Sequence, residues 1–319
     1  MSSLRPVDCS CCKHRQHTSD RDWRPRGVRT CRTVDLPKSV LFDADRPSRR
    51  VTRREARFDR SKPRQGGRRV TTTARVVLVT GGTGGLGEAT LRRFVADGDT
   101  VVFTYGRNAE AARALVEELG DQVSAEQLDI TDIPGCADLI EKIVAEHGRL
   151  DVLVHAAGPH IPQVHLSKLS PETLRDQMNS DALGFFNIVH PALPALRESR
   201  GSVVAVTSAG TLRYPARDGL SVIPKAAVEM MVKGLAVEEG RFGVRVNAVG
   251  PGMTTAGMAV RLRAEGDLDD YALSTAEQNI PLRSFGDGDD IAAAVFFLAG
   301  PEADYITGQK IDVDGGYSA

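Results

Sequence analysis

A five-residue run, Val76–Thr80, leads straight into Gly81-Gly82-Thr83-Gly84-Gly85-Leu86-Gly87 and then into a helical stretch. Few folds can use such a segment. Glycines there permit a tight turn, let backbone N–H groups approach a phosphate, and let a helix pack closely on the preceding strand. Two spacings fit at once, Gly82-x-Gly84-x-x-Gly87 and Thr80-Gly81-x-x-x-Gly85-x-Gly87. A strand-to-helix turn that merely needs positive φ is the competing reading, but placement directly after the first strand favours a nucleotide site. The loop runs on into Glu88 rather than Lys-Ser/Thr, so it is no ATP-type P-loop.

From Arg75 onward, β-branched runs alternate with helical stretches, the pattern of βαβ units and a parallel sheet. Strands are expected at Val76–Thr80, Thr100–Tyr105, Val123–Leu128, Val152–His155, Ser202–Thr207, Val244–Val249 and Lys310–Val313. Helices are expected near 86–97, 108–119, 133–147, 171–198, 221–240 and 288–299. The fold class is therefore α/β: a Rossmann-type, doubly wound, seven-stranded parallel sheet with helices on both faces, in a single domain. Residues 253–285 break the alternation, are polar, and read as a mobile lid over the carboxyl edge of the strands.

That domain spans residues 71–319, and what precedes it differs in composition. Residues 1–70 carry 20 Lys/Arg against 8 Asp/Glu, whereas the remainder carries 21 against 34. Only 19 of those 70 residues are apolar, too few to offset ordering entropy by burial, so an Arg-rich disordered extension is expected. A mis-assigned start is the blander account: Val70 stands just before the first strand, and a valine codon can serve as a bacterial start. Cys9, Cys11, Cys12, His14 and His17 lack the second ligand pair of a zinc site, so no metal is expected. The run Arg49, Arg50, Arg53, Arg54, Arg57 has only Phe58 nearby to stack bases, so no nucleic-acid partner is expected either. No stretch approaches the roughly 18 apolar residues of a membrane span, and neither a secretory signal nor a transit peptide fits the N-terminus. Four of five cysteines lie in the extension and only Cys136 in the body, which is no disulfide framework and suits a reducing cytoplasm.

At the end of the second strand stands Tyr105-Gly106-Arg107-Asn108. A carboxylate there would hold the adenosine ribose diol and repel a 2′-phosphate; an arginine attracts one. Arg107 thus points to NADP(H) rather than NAD(H), with an ordinary solvated arginine as the alternative.

These residues and those downstream resemble the short-chain dehydrogenase/reductase family, near its 3-ketoacyl-carrier-protein reductase branch, over roughly residues 74–319. The TGxxxGxG form from Thr80 resembles the family's glycine loop, and Leu128-Asp129-Ile130-Thr131-Asp132 its adenine-contacting turn. His155-Ala156-Ala157-Gly158 resembles its Asn-Ala-Ala-Gly motif with His in place of Asn, and Asn247-Ala248-Val249-Gly250-Pro251-Gly252 the segment flanking the nicotinamide. Ile306-Thr307-Gly308-Gln309 and Val313-Asp314-Gly315-Gly316 close the chain as in the family. The resemblance implies a nicotinamide cofactor held by Gly81, Thr83, Gly85, Leu86, Gly87, Arg107, Asp129, Ile130, Ala156, Gly158, Lys225, Pro251 and Gly252. It also implies a small-molecule carbonyl or alcohol substrate, and homodimers or homotetramers formed by helix pairing. Apolar residues beyond one helical stripe, such as Phe185, Phe186, Met230 and Met231, are explained in part by core packing and in part by such pairing.

The catalytic positions depart from the family. Ser208 and Lys225 stand 17 residues apart, as the family's serine and lysine do, but the tyrosine position four before the lysine is Ser221. Pro224-Lys225-Ala226-Ala227-Val228-Glu229 fixes that register, so this is a substitution. The family's helix asparagine, three before a glycine, is replaced by Asp181 ahead of Gly184, and Asn179 comes two residues too early. The tyrosine donates a proton to the carbonyl oxygen; a serine is shorter and a far weaker acid, and losing a positioned acid typically costs about 10²–10⁴ in rate. Lys225 and Ser208 would still hold cofactor ribose and substrate oxygen. Asp181 either joins a water relay to Lys225 or simply pairs with it. Tyr214 is the nearby phenol, although packing beside Pro215 explains it as well. Ser208 lacks the Gly-x-Ser-x-Gly elbow of a hydrolase, and His147, His155, His160 and His165 receive no role.

Three functions stay open. The first is an NADP(H)-dependent oxidoreductase interconverting a carbonyl and an alcohol, with catalytic candidates Ser208, Lys225, Ser221 and Asp181 and atypical proton delivery. The second is a redox-silent nucleotide-binding homologue acting as a partner subunit. The third is a non-redox lyase or cyclase on the same fold. Intact cofactor motifs count against the third, and Ser221 counts against the first. Met253, Met258, Leu262, Tyr271 and Leu273 suggest a partly apolar pocket under the lid.

Overall fold

The computed structural model describes residues 74–158, 161–256 and 270–319, all within the unit Arg69–Ala319. The N-terminal extension with its cysteine cluster and arginine run, His160, Met258 and Leu262 lie outside the described residues, as do the side chains of Tyr271 and Leu273.

Among the described residues, seven parallel strands form one sheet: β1 (Val76–Thr80), β2 (Thr100–Tyr105), β3 (Val123–Gln127), β4 (Val152–His155), β5 (Ser202–Val206), β6 (Arg245–Pro251) and β7 (Lys310–Val313). Their order is β3-β2-β1-β4-β5-β6-β7, so the winding reverses between β1 and β4. A crevice opens at the carboxyl ends of such a pair. Parallel strands covered on both faces read as continuous apolar runs, and Val77, Leu78, Val79, Val152, Leu153, Val154, Val203 and Val204 are all buried. One face packs Ile140, Ile143, Phe185, Ile188, Val228 and Val232 from helices α3 (Ile133–His147), α5 (Gly184–Ser199) and α6 (Gly219–Glu239). The other packs Leu91, Phe94, Leu115, Ile291 and Val295 from α1 (Gly85–Ala96), α2 (Ala109–Leu119) and α8 (Gly288–Ala299).

Two carboxylates fasten the amino edge of this sheet. Buried Asp99 accepts hydrogen bonds from Arg75 N and Nε at 3.1 and 3.0 Å, and Asp151 accepts from Val76 N at 2.9 Å. The opposite edge is thereby left to loops.

The single helix expected over 171–198 is instead three pieces: α4 (Pro171–Gln177), a π-helical turn (Met178–Leu183) and α5. Apolar spacing carries no mark of the one added residue in a π turn, which is why the sequence does not show it. The segment read as a lid contains a helix, α7 (Asp270–Gln278), and rejoins the body where Thr255 N bonds Gly286 O at 2.8 Å. Among the described residues, no helix is long and apolar enough to cross a membrane.

Candidate active site at the carboxyl edge

The glycine loop closes over the end of β1. Gly82 N donates to Thr104 O at 2.8 Å and Gly81 N to Thr104 Oγ1 at 3.2 Å, which folds the loop onto β2. Gly81 has φ +74°, and a Cβ on it would lie 2.7 Å from Ala157 Cα. A Cβ on Gly87 would lie 2.2 Å from Gly81 O, so the start of α1 approaches the loop as only glycine allows. Gly84 at the helix N-cap offers no side chain to the first-turn amides. Amides at a bare helix N-terminus, with Thr83, Gly85 and Leu86 around them, fit the pyrophosphate of a dinucleotide.

The remaining cofactor candidates ring this cradle. The Arg107 side chain is exposed past the end of β2 and makes no hydrogen bond or ion pair among the described residues. Asp129 is exposed and accepts from Thr131 N at 2.9 Å and Thr131 Oγ1 at 2.7 Å; those bonds lower its carboxyl below the usual range. Ile130 packs on Gly184, and its carbonyl accepts from Asn187 Nδ2 at 3.0 Å. Ala156 N bonds Thr80 O at 3.2 Å, continuing β4 toward Gly158, where an added Cβ would lie 4.0 Å from Lys225 Nζ. Pro251 ends β6 and Gly252 follows it, with Gly252 N held on Val313 O at 3.0 Å.

Lys225 is buried in the second turn of α6, and its ammonium donates to Asp181 Oδ1 at 2.8 Å. The π turn delivers that carboxylate, whereas Asn179 on the same turn is exposed. Of the two readings open for Asp181, direct pairing is the arrangement found. Beside them His155 is fully buried, with Nδ1 3.1 Å from Thr80 Oγ1 and its ring edge-on to Phe185. Its Nε2 has no hydrogen-bond partner among the described residues. Burial, helped by the Lys225 charge, pushes this imidazole well below its ordinary value, so it is neutral.

A cavity of about 420 Å³ lies at the ends of β5 and β6. Leu86, Ala209, Pro215, Met253 and Ile280 make its walls apolar, while Ser208, Ser221, Asp218 and Gln163 supply polar groups. This is the composition of a site for a small, mostly apolar molecule with one polar end. Ser208 Oγ accepts from Gly210 N at 3.0 Å. The Ser208 carbonyl accepts from Lys310 Nζ at 3.0 Å, and that ammonium also reaches Thr211 Oγ1 at 2.6 Å, Glu229 Oε1 at 3.2 Å and Asp312 Oδ1 at 2.9 Å. Tyr214 is half exposed and faces a separate hollow with His165 and Leu166. Asp218, Gln163 and the Lys310 group were not anticipated from sequence. Asp218 stands one helical turn ahead of Ser221, which is the signal that would have found it.

A family profile described as "Enoyl-(Acyl carrier protein) reductase" matches residues 81–318. The chain is 33% identical over 244 residues to the L-fucose dehydrogenase of Mus musculus, covering 76% of this chain and 88% of that one. It is 33% identical over 246 residues to the 3-oxoacyl-(acyl-carrier-protein) reductase FabG of Thermotoga maritima, covering 76% and 97%. Among solved structures, a variant actinorhodin polyketide ketoreductase with NADPH superposes with TM-score 0.72 at 27% identity, covering 77% of this chain and 97% of that one. Sheet order, glycine cradle and these matches agree: the chain belongs to the short-chain dehydrogenase/reductase family.

Proposed function

We propose that this protein is an NADP(H)-dependent oxidoreductase that interconverts a carbonyl and an alcohol, with proton delivery that does not use a tyrosine on α6. The observation that carries it is the glycine cradle at Gly81–Gly87 opening on the same sheet edge as the cavity lined by Ser208. NADP(H), when bound, supplies or accepts the hydride. The chain's own groups do the rest. The first-turn amides of α1 hold the pyrophosphate, and Arg107, unpaired among the described residues, meets a 2′-phosphate. The Ser208 hydroxyl binds the substrate oxygen, and Lys225 supports the ribose from behind Gly158. The named relatives act on carbonyl or alcohol groups, and the ketoreductase structure carries NADPH.

Titration of the protein with NADPH and, separately, with NADH, followed by nicotinamide fluorescence, tests this reading. Micromolar NADPH binding with much weaker NADH binding supports it; binding of neither means the cradle is scaffold only.

A second reading is favoured by two observations: Lys225 is already engaged by Asp181, and Ser221 stands at the tyrosine position. On that reading the chain binds the nucleotide without turnover, as a partner subunit. Substituting Ser221→Tyr separates the two, because ketone reduction appearing only in the variant marks the native chain as redox-silent.

Two further features belong to the proposal. Leu183 and Phe186 near the start of α5 and Met230 and Val237 on α6 are exposed apolar groups, the composition of a helix-pairing dimer or tetramer face. A cytoplasmic setting accords with Cys136, a free thiol that burial pushes up to about 11.

A further inference from the structure

We propose that Asp218 is the proton donor of this site, taking the part of the phenol that α6 lacks at Ser221. The inference rests on the carbonyl–alcohol reading above and deepens it.

Asp218 is the last residue before α6. Its carbonyl accepts from Ser221 N at 3.1 Å and Val222 N at 3.0 Å, so its side chain leaves one turn ahead of Ser221. Asp218, Ser221 and Ser208 line the same cavity. Gln163 Nε2 donates to Asp218 Oδ1 at 2.9 Å, while Oδ2 makes no hydrogen bond among the described residues. One oxygen is thus fixed and the other is available to carry a proton.

The backbone is bent to present this group. Arg217 adopts φ +71°, a left-handed conformation that a non-glycine residue holds only when its surroundings impose it. Val164 N bonds Arg217 O at 3.0 Å, and Val164 and Asp218 form a parallel bridge. Gly219, which follows, leaves room for the Leu166 side chain to pack against the start of α6.

Other titratable or charged groups on the cavity wall are Arg217 and Tyr317, with His165 and Tyr214 in the adjoining hollow. Burial raises the Asp218 carboxyl above the usual range, against the opposing Gln163 hydrogen bond. Such a shift moves an acid toward the pH at which it can act as a donor. Tyr317 is the rival; its ring lies 4.4 Å from the Arg213 guanidinium, a cation–π contact. Asp181 is committed to Lys225.

In the reduction, the carbonyl π pair moves to oxygen as the carbon gains hydride from NADPH. The Asp218 O–H bond breaks to give that oxygen its proton. The products are an alcohol, NADP⁺ and the Asp218 carboxylate, which takes up a proton (as hydronium) from solvent, so that each turnover consumes one H⁺.

The test joins two measurements on the full chain. The first follows the Asp218 side-chain carboxyl carbon by NMR against pH in the cofactor-free protein, with Asp218→Asn to assign the signal. A titration midpoint above that of an ordinary aspartate is expected; a midpoint at or below it overturns the proposal. The second compares Asp218→Asn, Asp218→Glu, Tyr317→Phe and Asp218→Asn/Ser221→Tyr in NADPH binding and in reduction of ethyl acetoacetate. Asp218→Asn should lower the rate about 10²–10⁴-fold with NADPH binding unchanged. Asp218→Glu should retain part of the rate, and adding Ser221→Tyr should restore part of it. An unchanged rate in Asp218→Asn, or the loss appearing in Tyr317→Phe instead, overturns the proton assignment alone. Failure of NADPH to bind the wild-type protein overturns the dehydrogenase reading itself, and the fluorescence titration reads that separately.

Discussion

Lys225 Nζ lies 2.8 Å from Asp181 Oδ1, with both groups buried between α6 and the π turn. Breaking such a pair from one side leaves a charge in the interior without a partner, which typically costs about 3–5 kcal/mol. Asp181→Ala is therefore expected to destabilise the protein by that order, and Lys225→Met in the same chain to recover part of the loss. Denaturant unfolding of the two single variants and the double variant measures the coupling.

Arg107 controls the choice between nicotinamide cofactors if it meets a 2′-phosphate. A hydrogen bond to a charged group contributes about 1.5–3 kcal/mol, so Arg107→Asp should weaken NADPH binding at least about tenfold. NADH binding should hold or improve. Parallel fluorescence titrations of the variant and the wild type decide the matter.

His155 gives stability a pH dependence with a definite sign. The ordinary imidazole value is 6.5, and burial holds the folded-state value well below it. Below pH 6.5 the unfolded chain takes up a proton that the folded one refuses. Stability is thus full above that pH and falls as pH drops, with a limiting slope of about 1.4 kcal/mol per pH unit. His155→Asn should flatten that slope between pH 6.5 and the folded-state value. Unfolding free energies against pH for both proteins provide the check.

Lys310 positions Ser208 without touching the cavity. Replacing it with methionine removes the donor to the Ser208 carbonyl and leaves Glu229 and Asp312 without their shared cation. A misplacement near 1 Å can cost up to about 10²-fold in rate. Lys310→Met is expected to lower kcat while leaving NADPH affinity unchanged, and Lys310→Arg to restore part of kcat. Steady-state kinetics set beside cofactor titration separate positioning from binding.

The centre of the sheet was legible because its strands are buried on both faces and so write themselves as unbroken apolar runs, as at Val76–Val79 and Val203–Val206. The glycine cradle was legible because steric demand leaves only one residue type at Gly81 and Gly87. Asp218 was not, since the Gln163 amide that holds its Oδ1 comes from 55 positions away, and its place one turn ahead of Ser221 gains meaning only once both are seen on one cavity wall. The Lys310 group was hidden for the same reason: it brings β7 to a carbonyl 102 residues earlier. Asp181 was placed by motif position, but its direct pairing was not, because nothing in the spacing distinguishes a π turn from a regular one.

That π turn has a consequence for how the chain can change. Each residue advances an α-helix by about 100°, so one extra residue re-phases α5 against α4 without any intervening loop. Deleting a single position within 178–183 would give an unbroken helix with its backbone hydrogen bonds intact. The sheet and its two cores would survive, yet Asp181 would swing off the axis of Lys225. A one-residue length change can therefore rewire the charge at the heart of this site while leaving the architecture around it standing.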